Sequence, residues 1–220
     1  EPGGGIANGI LGTLTIAGLA MAGGIPIAVM AGIYLAEYGR GKFASAVRFA
    51  VDTLAGVPSI IMGIFGYVLW VLPMKRFSAW AAASALAMIF IPIVVRTTEE
   101  MLRTVPASVR EAALALGIER WKTTLFITVR TATAGILTGI LLAMARIIGE
   151  TAPLLFTALG NQFWQTGLDQ PIAAIPLQVF NYAISPYDDW HDKAWAGALV
   201  LIGIVLVISA AARYLTRVKK

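Results

Sequence analysis

Residues 104–121 read TVPASVREAALALGIERW and stand between two long apolar stretches, 77–95 and 123–158. Ser108 and Glu111 have the spacing of a capping box, in which each side chain satisfies a free backbone donor at a helix start. Val109, Ala112, Ala113 and Leu116 recur at i, i+3, i+4 and i+7, so they share one helix face. Gly117 is placed to end the helix in a left-handed conformation. The expectation is a short amphipathic helix, bounded at both ends. Its apolar face is small, and alanines allow close approach, which suits docking into a partner's groove. Packing on the membrane surface, or on the chain's own bundle, is the competing reading.

Outward from this helix the chain is too apolar for water. Hydrophobic residues make up 58% of it and charged residues 13%, against roughly 45–50% and about 25% in soluble domains. A membrane-crossing helix needs about 20 apolar residues, and charge-poor runs mark five candidates. The first lies within Pro2–Ala36, which has no charged residue; Gly3–Gly5 read as a loop, and Gly23, Gly24 and Pro26 as a kink. The second is Thr53–Leu72, broken by Pro58, and the third Phe77–Val95, with Pro92 near its end and Glu99 and Glu100 as a solvated continuation. The fourth runs from Thr123 to Ala158 and is interrupted by Arg130, Arg146 and Glu150; the fifth is Ala194–Ala212. Helices rather than barrel strands are expected, because the alternation of a barrel strand is missing. Gly12, Gly18, Gly23, Gly24 and Gly32 are expected to permit close helix packing. Trp70, Trp80, Trp121 and Trp195 fall near span ends, where indole rings favour the interface.

Charge orients the bundle. With the C-terminus (Arg213, Arg217, Lys219, Lys220) in the cytoplasm, Glu37–Asp52 and Arg96–Arg130 are cytoplasmic too. These segments hold four, three and six basic residues, against three on the outside, Lys75, Arg76 and Lys193. The opposite orientation would invert the positive-inside bias. The net charge of +5 is thereby explained without nucleic acid. Glu1 then lies outside; a helix upstream of it would make six spans. Nothing at the start reads as a signal peptide. The outer segment Gly160–Lys193 is aromatic, with Pro171–Ile184 a re-entrant or interfacial piece too short to span and Asp188, Asp189 and Asp192 a solvated face. The chain reads as one domain over residues 1–220.

Two charges inside the fourth stretch, Arg146 and Glu150, are four residues apart and expected on one helical face. A charge at mid-membrane costs roughly 2.5–3.5 kcal/mol on insertion scales, so such residues face a bundle interior or a water-filled path. They are either an ion pair that fixes packing or part of an anion path. A guanidinium matches phosphate or carboxylate geometry, Glu150 would keep the site from holding an anion too tightly, and Thr151 adds a hydroxyl. Other chemistries are excluded. Cysteine is absent and His191 is the single histidine, which leaves no thiolate chemistry and no two-histidine metal site. The pattern G-x-x-x-x-G-K-[ST] is missing, so ATP would bind elsewhere.

The motif Glu111-Ala112-Ala113, three residues, Gly117, nine residues, then Ile127-Thr128-Val129-Arg130 resembles the EAA loop of ABC importer permeases. Val129 and Arg130 stand where that family has Leu and Pro. The resemblance implies a type I ABC importer permease fold of the MetI-like kind, an all-α polytopic bundle. It also implies that Glu111, Ala112, Ala113, Leu116 and Gly117 couple to an ATPase subunit. The stretches EAALALGIERWKTT, TAGILTGILLAMARIIGETAPLLFTALG and IPLQVFNYA resemble the phosphate-specific importers, and among them PstA-type rather than PstC-type permeases. That implies phosphate import with a PstC-type sister permease, a PstB-type ATPase dimer and a PstS-type phosphate-binding protein outside. ATP and Mg would sit on the ATPase, with no cofactor on this chain, and Arg146, Glu150 and Thr151 would line the phosphate pathway. Import of another oxyanion, sulfate or molybdate, uses the same architecture, and a membrane scaffold or enzyme with a fortuitous motif is the reading from another class.

Overall fold

The computed structural model describes residues 5–164 and 167–215. Glu1, Gly3 and Gly4 at one end, and Arg217, Lys219 and Lys220 at the other, lie outside the described residues. Helix α1 (Ala7–Tyr38) is α-helical to Ile33, passes through Pro26 without ending, and closes in a wider π-helical turn, Tyr34–Tyr38. Two helices follow, α2 (Gly41–Gly56) and α3 (Ser59–Met74), bent by 104° at their junction. The bend is written in Val57-Pro58. A residue before proline is pushed to extended backbone, and Val57 sits at ψ 134 with Pro58 at ψ 135. The expected span Thr53–Leu72 is therefore corrected: it starts at Ser59, and residues 53–56 belong to the preceding helix.

Lys75, at φ 53 and ψ 30, turns the chain out of α3. Ser78 then caps α4 (Ala79–Arg103), its Oγ accepting from the backbone N–H of Ala81 at 3.1 Å. Helix α4 is the centre of the bundle: Ala79, Ala82, Leu86, Phe90, Val94 and Val95 are buried along it, and α1, α2, α3 and two later helices, which include Val129–Ile148 and Ala152–Thr157, pack around it. Its alanines let neighbours approach closely. Gly24 and Gly32 of α1 face Phe90 and Thr98 at distances that leave no room for a side chain, whereas Gly18 and Gly23 face open space. The packing role thus holds for only some of the expected glycines.

The remaining elements are α5 (Ala107–Ala115), α6 (Arg120–Ile148, with a π-helical turn at Thr123–Thr128), α7 (Ala152–Thr157), α8 (Ile175–Ala183) and α9 (Asp188–Leu215). The fourth apolar stretch is thus not one helix: it breaks at Gly149–Thr151. Residues 172–177, in the expected interfacial piece, are buried in the protein, where the N–H of Ile175 donates to Thr13 Oγ1 of α1 at 2.9 Å. Asp188, Asp189 and Asp192 are exposed. Among the described residues four helices (α1, α4, α6 and α9) are long and apolar enough to cross a membrane, five if the bent pair α2–α3 counts as one.

Candidate functional site

The capping box does not form. Helix α5 begins at Ala107 after Pro106, and no side chain caps it; Pro106 fixes the turn, which leaves Ser108 inside the first turn rather than before it. The far end is as expected, with Gly117 at φ +77 and its N–H donating to Leu114 O at 2.9 Å. The expected apolar face divides. Val109 is half-buried and Ala113 fully buried against the bundle, while Glu111, Ala112 and Leu116 point away from it, Leu116 with 81% of its surface exposed. Ala113 is thus turned inward. The outer face combines Glu111, Ala112, Ala115 and Leu116 with the exposed Leu114, Trp121 and Phe126 nearby. This concentration of uncovered apolar groups on a charged loop is the pattern of an interaction surface.

What holds α5 in place was not apparent from the sequence. Arg110 grips Glu37 with Nη2–Oε1 at 2.7 Å and Nε–Oε1 at 3.0 Å. Its guanidinium also donates to Val105 O at 2.6 Å and Leu102 O at 2.7 Å. Glu37 is 7% exposed and Arg110 24%, so this is a shielded, multiply bonded pair rather than a surface contact. Glu37 lies in the π-helical turn that ends α1. Arg120, at the start of α6, donates to the Glu37 carbonyl and stacks over the Tyr38 ring at 4.9 Å. The Tyr38 hydroxyl meets Thr124 Oγ1 at 3.3 Å, in the π-helical turn of α6. Two widened turns, a feature frequent at functional sites, thus flank the loop and are tied together through it. The available signal was Glu37, the acid ending a charge-free run of 35 residues. A second network joins α2 to α4. Arg48 donates to Glu99 at 2.7 Å and Arg103 meets the same carboxylate at 2.5 Å, so Glu99, 12% exposed, is a paired and half-buried group, not a solvated end.

The other candidate residues sit near the opposite end of α6, 26 residues beyond Arg120, or roughly 39 Å along a helix rising 1.5 Å per residue. The helix stops at Ile148, so Arg146 and Glu150 do not share a continuous helical face. They meet across the break, Arg146 Nε to Glu150 Oε1, at 3.6 Å. Glu150 is 15% exposed and Arg146 55%. The two terminal guanidinium nitrogens of Arg146 have no hydrogen-bond partner among the described residues. Thr151 stands just before α7, and its carbonyl accepts from the N–H groups of Leu154 and Leu155 at 3.1 and 3.2 Å. Pro153 packs so closely on Gly63 of α3 that a Cβ there would come within 2.6 Å of Pro153 Cα, which fixes the break against the bundle. The site pairs a half-exposed guanidinium, its terminal donors unengaged among the described residues, with a mostly buried carboxylate.

Comparison with known proteins agrees with this architecture. Residues 24–219 match the family described as binding-protein-dependent transport system inner membrane component. The chain is 51% identical over 219 residues to the phosphate transport system permease protein PstA of Yersinia pestis, covering 99% of this chain and 74% of that protein. It is 53% identical over 214 residues to the same-named protein of Xylella fastidiosa (strain 9a5c), covering 96% and 75%, and 41% identical over 213 residues to PstA 1 of Mycobacterium tuberculosis (strain ATCC 25618 / H37Rv), covering 95% and 68%. A structure of the MetNI methionine ABC transporter in an inward-facing conformation superposes with a TM-score of 0.75 at 17% identity, over 97% of this chain and 93% of that one; at that identity the likeness concerns the fold. The apolar helices and the family together make the chain a multi-pass membrane protein of the permease kind. It belongs to the binding-protein-dependent transport system inner membrane components and, among them, to the phosphate transport system permease proteins of the PstA kind.

Proposed function

We propose that this chain forms half of the translocation pathway of an ATP-driven inorganic phosphate importer. The observation that carries the reading is the guanidinium of Arg146, with terminal donors unengaged, near the end of a membrane-length helix whose other charged residues, Arg120, Lys122 and Arg130, lie toward its opposite end. Arg146 offers those donors to the anion, and Thr151 contributes a further hydroxyl. Glu150 holds the guanidinium from one side and limits how tightly the anion is bound, since a permeation site must also release. The whole chain, 1–220, acts as one permease domain. The exposed Glu111, Ala112 and Leu116 dock on the ATPase, while Ala113 and Gly117 fix the helix that presents them.

In the proposed assembly a PstC-type permease completes the path, a PstB-type ATPase dimer binds and hydrolyses ATP with Mg, and a PstS-type protein delivers phosphate outside. The coupling loop and C-terminus are cytoplasmic. The relatives' names and the charge bias of the loops support this arrangement. Uptake of radiolabelled phosphate tests it, in cells lacking the chain and complemented by wild type or Arg146→Ala at matched membrane levels. Restoration by wild type and loss in the variant is the expected result. Equal uptake by both would reduce Arg146 to a packing residue. Intact phosphate uptake without the chain, with sulfate uptake lost, would overturn the substrate.

A further inference from the structure

Lys75 and Arg76 run against the charge bias of this chain. They are two of the three basic residues on the side read as external, they are adjacent, and nothing in the transport reading uses them. The fold puts them at the mouth of an apolar groove of about 370 Å³ lined by residues of α1, α3 and α4, among them Leu19, Gly23, Trp70, Met74, Trp80 and Ala87. Met74 is the last residue of α3 and Trp80 lies in the first turn of α4, so the turn that carries both cations bridges the groove at one end. Lys75 adopts left-handed backbone, φ 53, which few residues other than glycine adopt.

The walls specify the occupant. The one side-chain hydroxyl among the lining residues, on Ser84, donates to Ala81 O at 2.8 Å and is spent on its own helix. The groove thus offers a ligand no polar partner along its length. On α4 it extends from Trp80 to Ala87, or about 10 Å of helix. It is open along Gly23, where a Cβ would meet nothing within 4 Å. Trp70 and Trp80, each about half exposed, flank it, and indole rings favour headgroup depth. At the mouth, Lys75 has no partner among the described residues, and Arg76 makes one loose pair, 3.5 Å to Asp169, with both side chains more than half exposed. The local charge is net positive beside a wholly apolar slot. We infer that this groove binds an anionic phospholipid, one acyl chain lying along α1 and α4 and the phosphate resting on Lys75 and Arg76. Charge complementarity at the mouth selects an anionic lipid over a zwitterionic one. The inference requires that α1, α3 and α4 be embedded in the membrane, and is independent of which solute is carried.

The test uses the whole transporter, purified in mild detergent from vesicles of phosphatidylethanolamine with one-fifth phosphatidylglycerol, and counts retained lipid by native mass spectrometry. Each basic residue near a membrane surface corresponds to roughly fivefold in affinity for an anionic lipid. Lys75→Gln with Arg76→Gln is therefore expected to lower phosphatidylglycerol occupancy at least about fivefold, allowing for the Asp169 pair. Gly23→Leu puts a branched side chain into the slot from a position where a Cβ meets nothing within 4 Å, and is expected to displace the lipid while leaving both cations in place. Lys42→Gln, a charge change elsewhere, is expected to change nothing. Unchanged retention in Gly23→Leu, or retention of phosphatidylglycerol by wild type at no more than its one-fifth share against phosphatidylethanolamine, would overturn the proposal. So would a protein crosslink from Gly23→Cys in place of a lipid adduct, since the slot would then belong to a polypeptide.

Discussion

Arg110→Ala removes the strap between α5 and the end of α1, and its cost can be worked from the contacts. The substitution deletes the paired contacts to Glu37 and the donors to the Leu102 and Val105 carbonyls. Breaking a buried ion pair from one side costs about 3–5 kcal/mol, because the remaining charge is stranded. Here Arg110 is 24% exposed, so water reaches the vacated carboxylate and ~2–3 kcal/mol is the expected loss. Glu37→Ala leaves Arg110 with both carbonyls and is expected to cost about half as much. The double variant is expected to cost less than the sum of the two, by an interaction energy of about 1–3 kcal/mol. Thermal unfolding of the purified transporter gives the cycle. Uptake per ATP hydrolysed, in proteoliposomes holding all subunits, gives the functional consequence: Arg110→Ala is expected to hydrolyse ATP with reduced uptake. Costs that add within ~0.5 kcal/mol, with unchanged uptake per ATP, would refute the reasoning.

Gly117→Pro demands φ near −65° where the backbone stands at +77; the loop is expected to lose its shape and uncouple hydrolysis from transport, with membrane levels unchanged by immunoblot. Arg146→Lys keeps the charge but not the planar donors, and its phosphate uptake is expected to fall between those of wild type and Arg146→Ala; wild-type uptake would remove guanidinium geometry from the argument. Gly12→Val puts a Cβ within 1.9 Å of the Ala173 carbonyl oxygen, a backbone atom that cannot rotate aside. Overpacking of this kind costs typically 1–3 kcal/mol, so reduced protein in the membrane and a lower melting temperature are expected.

Hydropathy and charge were enough for the number and rough place of the apolar spans and for a short helix between two of them, because lipid imposes a single demand on length and polarity. Gly117 was readable because left-handed backbone after a helix selects glycine. The capping box failed locally, at Pro106; other errors were decided by long-range contacts. Pro58 was visible as a break, but the sequence did not show that α2 pairs with α4 through Arg48–Glu99 and Asp52–Arg96 beyond the 104° bend. Glu99 looked solvated because its cations lie on another helix as well as its own. The face of α5 was assigned by periodicity alone, and tertiary packing turned Ala113 inward and Leu116 outward. Arg146 and Glu150 were found by their cost in lipid, and Gly149, Thr151 and Pro153 marked a local loosening, but not a full helix end between the two charges.

Helix α6 links the two candidate regions as one stiff element, anchored at one end by Arg120 on Glu37 and carrying Arg146 near the other. Such a rod is a lever. A tilt of ~5° about its anchored end displaces a point roughly 39 Å away by ~3 Å, about the length of a hydrogen bond. The break at Gly149–Thr151 means that α7, seated on Gly63, need not follow. A motion too small to disturb packing at the anchored end would thus open or close the gap between Arg146 and Glu150. The chain would convert a push on α5 into the making and breaking of a single ion pair.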